Sequence, residues 1–249
     1  MALSETQLKK TTSKSAEEQF GLDINEMTQA GLHLGHQRSY FHPKMKPYLS
    51  GVKNNINLID LSKTIEKFKE ALSFIQQLIS ENKVLLLVGT KTPARELIKS
   101  LAEECQLPYV IERWVGGTLT NFPVIKKRVD YFKELEEKRK SGELDKYTKK
   151  EKALFDRELR NLEIKFGGIK NLTALPDALF VIDIKKEALA VTEARKKNIK
   201  VIAVVDTNAN PELVDYPIPA NDDAVTALKY ILDKVKEVIL KAKQNKQNK

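Results

Sequence analysis

The sequence predicts an α/β protein: an open, doubly wound sheet of five parallel strands with helices on both faces, and a long helical insert after the second strand. Three observations carry this. Val84-Leu85-Leu86-Leu87-Val88, Ala178-Leu179-Phe180-Val181-Ile182 and Val201-Ile202-Ala203-Val204-Val205 are continuous apolar runs ended by Gly89, Asp183 and Asp206, the pattern of strands buried on both faces. Helical stripes alternate with these runs, which implies right-handed crossovers and a parallel sheet. Between Arg113 and Gly168 the alternation stops, and a charged segment with helical spacing intervenes.

In chain order, residues 1–22 are a polar extension, expected to be flexible. Asp23 to Leu34 reads as a short helix. Gly31 to Tyr48 gathers His, aromatic and basic residues among Gly and Pro, and is expected to be largely loop. Tyr48–Val52 and Asn55–Ile59 suit a hairpin around Lys53-Asn54. Asp60 or Ser62 caps a helix with the stripe Leu61, Ile65, Phe68, Leu72, Ile75 and Ile79. After the first core strand, Thr92 and Pro93 supply a cap and a first-turn proline for a helix carrying Leu97, Ile98 and Leu101. Pro108–Ile111 is the second strand. Beyond the insert come strand 178–182, a helix from Glu187 to Lys197, strand 201–205, a turn-rich loop at Thr207–Pro211 and a short strand at Tyr216–Ile218. Asn221-Asp222-Asp223 then caps a last helix with the stripe Val225, Leu228, Ile231, Leu232, Val235 and Ile239. The expected spatial order of the five strands, numbered along the chain, is 2-1-3-4-5. The α/β domain is expected to span residues 23–240, with a helical hairpin inserted at 119–167 and a basic tail at 241–249.

Within the insert, Phe122, Ile125, Val129 and Phe132, and then Phe155, Leu159, Leu162 and Phe166, recur at spacings of three and four. That is the seam of two helices packed as an antiparallel coiled coil. Ser141-Gly142 ends the first helix, and Thr148 with Glu151 forms a capping box that opens the second. From Lys126 to Arg160, 13 basic residues stand against 9 acidic ones, so the surface is mixed rather than strongly cationic. Lys126-Lys127-Arg128 and Lys149-Lys150 are its basic clusters.

The whole chain has a formal charge of +9, from 43 Lys and Arg against 34 Asp and Glu. Such an excess favours a polyanion or an anionic surface as partner. The single cysteine, Cys105, excludes an internal disulfide and a cysteine metal cluster. No apolar run reaches transmembrane length, and the first residues lack the apolar core of a signal peptide.

The strand-tip loop Val88-Gly89-Thr90-Lys91-Thr92-Pro93 invites a nucleotide, but it has one glycine and is too short for a phosphate-binding loop. Its helix start leaves room for one phosphate near Lys91; an ordinary capped helix is the preferred reading. Arg113 suits a phosphate contact, and Trp114 either stacks on a base or plugs the root of the insert. His33 and His36 lie three apart, too few ligands for a metal site by themselves. Asp206, Asp222 and Asp223 are the candidate metal ligands, if the strand end and helix start converge; helix capping is the competing explanation. No nucleophile elbow or Ser-His-Asp arrangement can be assembled.

Several stretches together resemble one family. They are Gly31-Leu32-His33-Leu34-Gly35-His36, Pro43-Lys44-Met45-Lys46-Pro47-Tyr48, Val88-Gly89-Thr90-Lys91, Arg113-Trp114-Val115-Gly116-Gly117-Thr118-Leu119-Thr120-Asn121, Leu175-Pro176-Asp177 with the strand after it, Val205-Asp206-Thr207-Asn208, and Pro219-Ala220-Asn221-Asp222-Asp223-Ala224. In this order, over roughly residues 23–240, they resemble the bacterial-type small-subunit ribosomal protein S2 family. Lys200 departs from the pattern, standing where a small residue or proline is expected. The resemblance implies a flavodoxin-like three-layer α/β/α body with a five-stranded parallel sheet and a coiled-coil protrusion. It implies a structural constituent of the cytoplasmic ribosome (an organelle-encoded copy reads the same way) that binds small-subunit rRNA near the head–body junction. It further implies help in docking the multi-OB-fold protein S1, no catalysis, no required cofactor, no membrane and no homo-oligomer. Arg38, Lys44, Lys46 and the stretch Arg113–Thr118 fall where the family can face RNA. Side-chain chemistry adds Tyr40 and His42 as stacking groups, and Lys91, Lys126, Lys127, Arg128, Lys149 and Lys150 as phosphate contacts. The rival readings are a nucleotide-dependent α/β enzyme and an RNA-binding adaptor outside the ribosome.

Overall fold

The structure, a computed structural model, describes residues 20–247. Residues 1–19 of the expected extension, and the last two residues of the expected tail, lie outside them. The chain divides into two compact units, one made of the residues up to Asn82 together with Ile202 onward, the other of Lys83–Val201.

In the first unit, α1 (Ile24–Gln29) is capped by Asp23, whose carboxylate accepts from the Asn25 amide. It stops short of the expected Leu34 because Gly31 turns the chain at φ +80°. The stretch expected to be loop carries more structure than that. β1 (Leu34–Gln37) is followed by a 3-10 turn at Pro43–Tyr48, anchored by the fully buried Met45. β2 (Leu49–Lys53) and β3 (Ile56–Ile59) form the predicted hairpin, with Asn54 and Asn55 taking the left-handed conformation its turn needs. β1 pairs with the other edge of β3, so the small antiparallel sheet runs β1-β3-β2. α2 (Leu61–Ser80), capped by Asp60, buries its predicted stripe. Taking Phe68 wholly out of water stabilises by about 2–3 kcal/mol. α2 packs on β8 (Tyr216–Pro219) and on α7 (Val225–Gln247). There Phe74 stacks on Tyr216 at 4.4 Å between ring centres, and the Thr64 hydroxyl donates to the Pro219 carbonyl at 2.6 Å. α7 is helical through Gln247, so most of the expected tail continues this helix.

In the second unit, β4 (Leu85–Val88), β5 (Tyr109–Val110) and β6 (Ala178–Ile182) pair in parallel, and every residue of β4 and β6 is buried. α3 (Thr92–Cys105) follows β4. Its N-cap is Lys91 rather than Thr92, without a side-chain cap bond, and Pro93 lies in its first turn. α4 (Phe122–Lys140) and α5 (Lys149–Phe166) make up the insert, and α6 (Ala188–Lys196) follows β6. The predicted stripes are buried at Ile125, Val129, Phe132, Leu159, Leu162 and Phe166, while Phe122 and Phe155 are half-buried. The Thr148–Glu151 capping box is formed in both directions. Arg139 pairs with Asp156 at 3.3 Å, and Lys170 pairs with Glu136.

With β7 (Lys200–Val205), the parallel strands follow the order β5-β4-β6-β7-β8, the predicted one. Pro217 and Pro219 are tolerated in β8 because it is an edge strand, where a missing N–H removes no outer ladder bond.

Gly168 lies in the 3-10 turn that ends α5, and a Cβ there would stand 2.2 Å from the Tyr109 carbonyl oxygen and 2.7 Å from its ring. Gly168→Ala should therefore lower the free energy of unfolding by about 1–3 kcal/mol through overpacking. The urea midpoint should fall with the m-value unchanged; an unmoved midpoint would mean that β5 yields freely.

Candidate nucleic-acid interface

The first group of candidate residues sits in the first unit. Gly35 lets β1 approach the loop after β7: a Cβ would come within 2.4 Å of Thr207 Cγ2, and the His36 amide donates to the Thr207 hydroxyl at 3.0 Å. This contact places His36 against the aspartates. Its Nδ1 lies 3.1 Å from Asp206 Oδ2, and its Nε2 lies 3.4 Å from Asp223 Oδ2 and 3.0 Å from Asn208 Nδ2. Asp206 and Asp222 are almost wholly buried, whereas Asp223 is exposed. Asp206 also accepts from the Thr207 amide at 2.5 Å and the Asp222 amide at 3.4 Å. The Asp206 hydrogen bond, with the charges of Asp206, Asp222 and Asp223, raises the His36 pKa above its ordinary value against the opposing effect of burial.

The three predicted aspartates do converge, and His36 joins them where His33 does not. One ligand atom from each of the four lies within 4.8 Å of the others. Imidazole with carboxylates is a donor set a divalent cation accepts. The same atoms also satisfy one another as a hydrogen-bond hub that fixes β1 to the loop after β7. The expected capping falls to Asn221, whose Oδ1 accepts from the amides of Asp223 and Ala224.

Past β1 the chain is held in a fixed course. Arg38 N–H donates to the Asn55 carbonyl, His42 N–H donates to the Thr207 carbonyl at 2.8 Å, and Met45 is buried. From this frame Arg38, Tyr40, Lys44 and Lys46 face solvent, Tyr40 with 61% of its surface exposed. Lys44 makes an exposed ion pair with Glu212 at 2.9 Å. The His42 ring is directed inward to its own turn, its Nδ1 accepting from the Lys44 amide, so its capping role competes with stacking.

The second group is the turn between β5 and α4. Glu193 of α6 is buried, and its carboxylate accepts from the amides of Gly117, Leu119 and Thr120 at 2.7–3.1 Å, the Thr120 hydroxyl at 3.2 Å and the Trp114 indole N–H at 3.3 Å. Gly117 takes φ +93° to complete the turn. Burial alone would raise the Glu193 carboxyl, but the Gly117, Leu119, Thr120 and Trp114 bonds outweigh it and hold the pKa below its ordinary value. Of the two readings of Trp114, burial favours the plug at the root of the insert. Trp114 and Thr118 are both buried, with the Thr118 hydroxyl donating to the Val115 carbonyl, so both shape the turn. Arg113 remains exposed.

Lys91, at the tip of β4, is likewise drawn inward: it pairs with Asp183 at 3.4 Å and is largely covered. Beside it, Glu187 accepts from the Thr90 amide and hydroxyl at 3.1 and 2.5 Å, and burial outweighs these bonds to push its carboxyl above the usual range. The Thr90 amide of the strand-tip loop is thus engaged by the chain's own carboxylate. Lys126, Lys127, Arg128, Lys149 and Lys150 are exposed on the insert. Lys126 reaches the Thr173 carbonyl at 3.4 Å.

Glu187 and Glu193 were not singled out from the sequence. The signal was present for Glu193: an acid on the buried stripe of Ala190, Val191 and Ala194 must find donors to be tolerated.

The parallel α/β body thus bonds its strand-tip carboxylates internally and turns its basic loops outward. The model of the ribosomal protein S2 family matches residues 27–242, and the chain belongs to that family. It is accordingly a protein of the small ribosomal subunit, with a structural, non-enzymatic role in translation, associated with the subunit's rRNA and proteins. Among the described residues no helix is long and apolar enough to cross a membrane.

Glu193→Gln keeps the side chain's volume but replaces an acceptor oxygen with a donor facing donors. The expected loss is about 1.5–3 kcal/mol, the scale of hydrogen bonds to a charged group, with red-shifted Trp114 fluorescence. The folded pKa is depressed, so the wild-type contribution is present above the ordinary value of 4.5 and is lost as pH falls through the lower folded value. Urea midpoints measured down the acid limb should fall less steeply in the variant; parallel curves would remove Glu193 from this role.

Proposed function

We propose that the chain takes its place in the small subunit by binding rRNA through the loop Arg38–Lys46 and the root of the insert around Arg113. The observation that carries this reading is the loop's construction. Its backbone is tied at Arg38 and His42 and anchored by Met45, while Arg38, Tyr40, Lys44 and Lys46 are left outside. A preordered loop meets phosphates without a large ordering penalty, and an exposed tyrosine beside cations can stack on an unpaired base. Lys126, Lys127 and Arg128 extend the basic surface at the root, and Lys149 and Lys150 do so at the far end. Trp114, Thr118, His42 and Lys91 support these surfaces from within.

The helical pair α4–α5, read as a coiled coil, serves as a brace toward RNA folds or neighbouring proteins, including the multi-OB-fold protein S1 where present. Its mixed charge and the exposed Leu154 and Tyr147 suit protein contact as much as RNA contact. The chain acts as a single copy in the cytoplasmic ribosome.

Lys44→Glu combined with Lys46→Glu should reduce incorporation into small subunits, because the lost phosphate contacts become repulsive. In binding to protein-free rRNA, the slope of log K on log salt should shrink by about 0.7–0.9 per contact removed. Unchanged occupancy of purified subunits would take the loop out of the interface.

A further inference from the structure

At the root of the insert lies a cleft of about 620 Å³, within the second unit, between the Arg113–Gly116 turn and helices α4 and α5. This is within the range of sites that enclose small ligands. We propose that the cleft receives one unpaired nucleotide of the small-subunit rRNA, its base against the apolar wall and its phosphates on Arg113, Arg128 and Lys165. The proposal rests on the reading that this chain binds rRNA, and it names the form of RNA the root takes.

What marks this cleft is that its cations stand unpaired around one concave surface. Along the insert Arg139 pairs with Asp156, Lys146 with Glu143 and Lys170 with Glu136. Arg113, Arg128 and Lys165 line the cleft, and among the described residues none of the three is in an ion pair. The one acid in the lining, Glu158, is engaged by the Tyr131 hydroxyl. Three unmatched cations around a concave, partly apolar surface focus a positive potential.

The wall is suited to a base. Val124 is 50% exposed within it, over the buried Trp114, Leu162 and Phe166. Asn161, also in the lining, offers a donor and an acceptor to a base edge. Glu193 pins the turn above, so the cleft is preformed. A duplex presents only its phosphates and groove edges, whereas an unpaired nucleotide can enter a recess.

Trp114 is the only tryptophan of the chain and lines the cleft, so its fluorescence reports occupancy. The full-length protein would be titrated with single-stranded oligouridylate, a blunt RNA duplex and a polyglutamate peptide at one salt concentration, with total RNA binding measured in parallel by filter retention. Single strands should change Trp114 emission; duplex and peptide should not. Arg128→Glu with Lys165→Glu should abolish the change and reduce the single-strand salt slope by about 0.7 per cation removed, while Arg128→Lys should retain it. Both positions are exposed, and an unchanged circular-dichroism melt certifies the fold. An equal response to duplex or to polyglutamate overturns the proposal, as does retained response in the double variant. If RNA is held on the filter while Trp114 stays silent, the cleft fails and rRNA binding stands. If no RNA is held, both fail.

Discussion

One buried carboxylate organises the most consequential turn of the chain. Glu193 lies on α6 and gathers the amides of Gly117, Leu119 and Thr120, the Thr120 hydroxyl and the Trp114 indole. An uncompensated carboxylate in that position would be strongly destabilising; five donors make it tolerable and also freeze the backbone that supplies them. The entry to α4 and the exposure of Arg113 depend on that frozen turn. Gly117 is there because the chain must bend with positive φ and keep its amide pointing at Glu193.

The same device recurs at the other strand tips. Glu187 sits on the Thr90 amide, Asp183 on the amides of Lys185 and Lys186, and Asp206 on that of Thr207. In open α/β sheets these amides and helix starts are where phosphates of ligands commonly bind. Here the chain supplies the anion itself. That substitution gives a physical account of how a sheet of this topology serves as a scaffold, consistent with the structural role of the ribosomal protein S2 family. The loops bonded in this way become rigid supports for whatever the outward-facing side chains touch.

Charge on the surface follows a second logic. Along the helical pair basic and acidic residues are interspersed, and some pair directly, as in Arg139–Asp156. Net charge therefore overstates what the insert can attract. The cations left unmatched are a better guide than the count, and Arg113, Arg128 and Lys165 are three of them that line one cleft beside the constrained turn. Rigid presentation and unmatched charge together reduce the ordering penalty of contacting a polyanion.

The sequence by itself determined the strand runs, their order, the two helical stripes of the insert and the capping box at Thr148. Each of these depends on local periodicity or on groups three or four residues apart. It also marked the basic loop 38–46, since exposed cations among Gly and Pro have few other uses. Only the tertiary structure decided that Trp114 and Thr118 lie inside, that Lys91 is held by Asp183, and that His36 meets Asp206, Asp222 and Asp223. Those outcomes depend on groups brought together from distant parts of the chain, as Glu193 lies 76 residues from Gly117. Periodicity tells which face of an element is buried; it does not tell which donor a buried acid will meet, because that is set by how the elements are stacked.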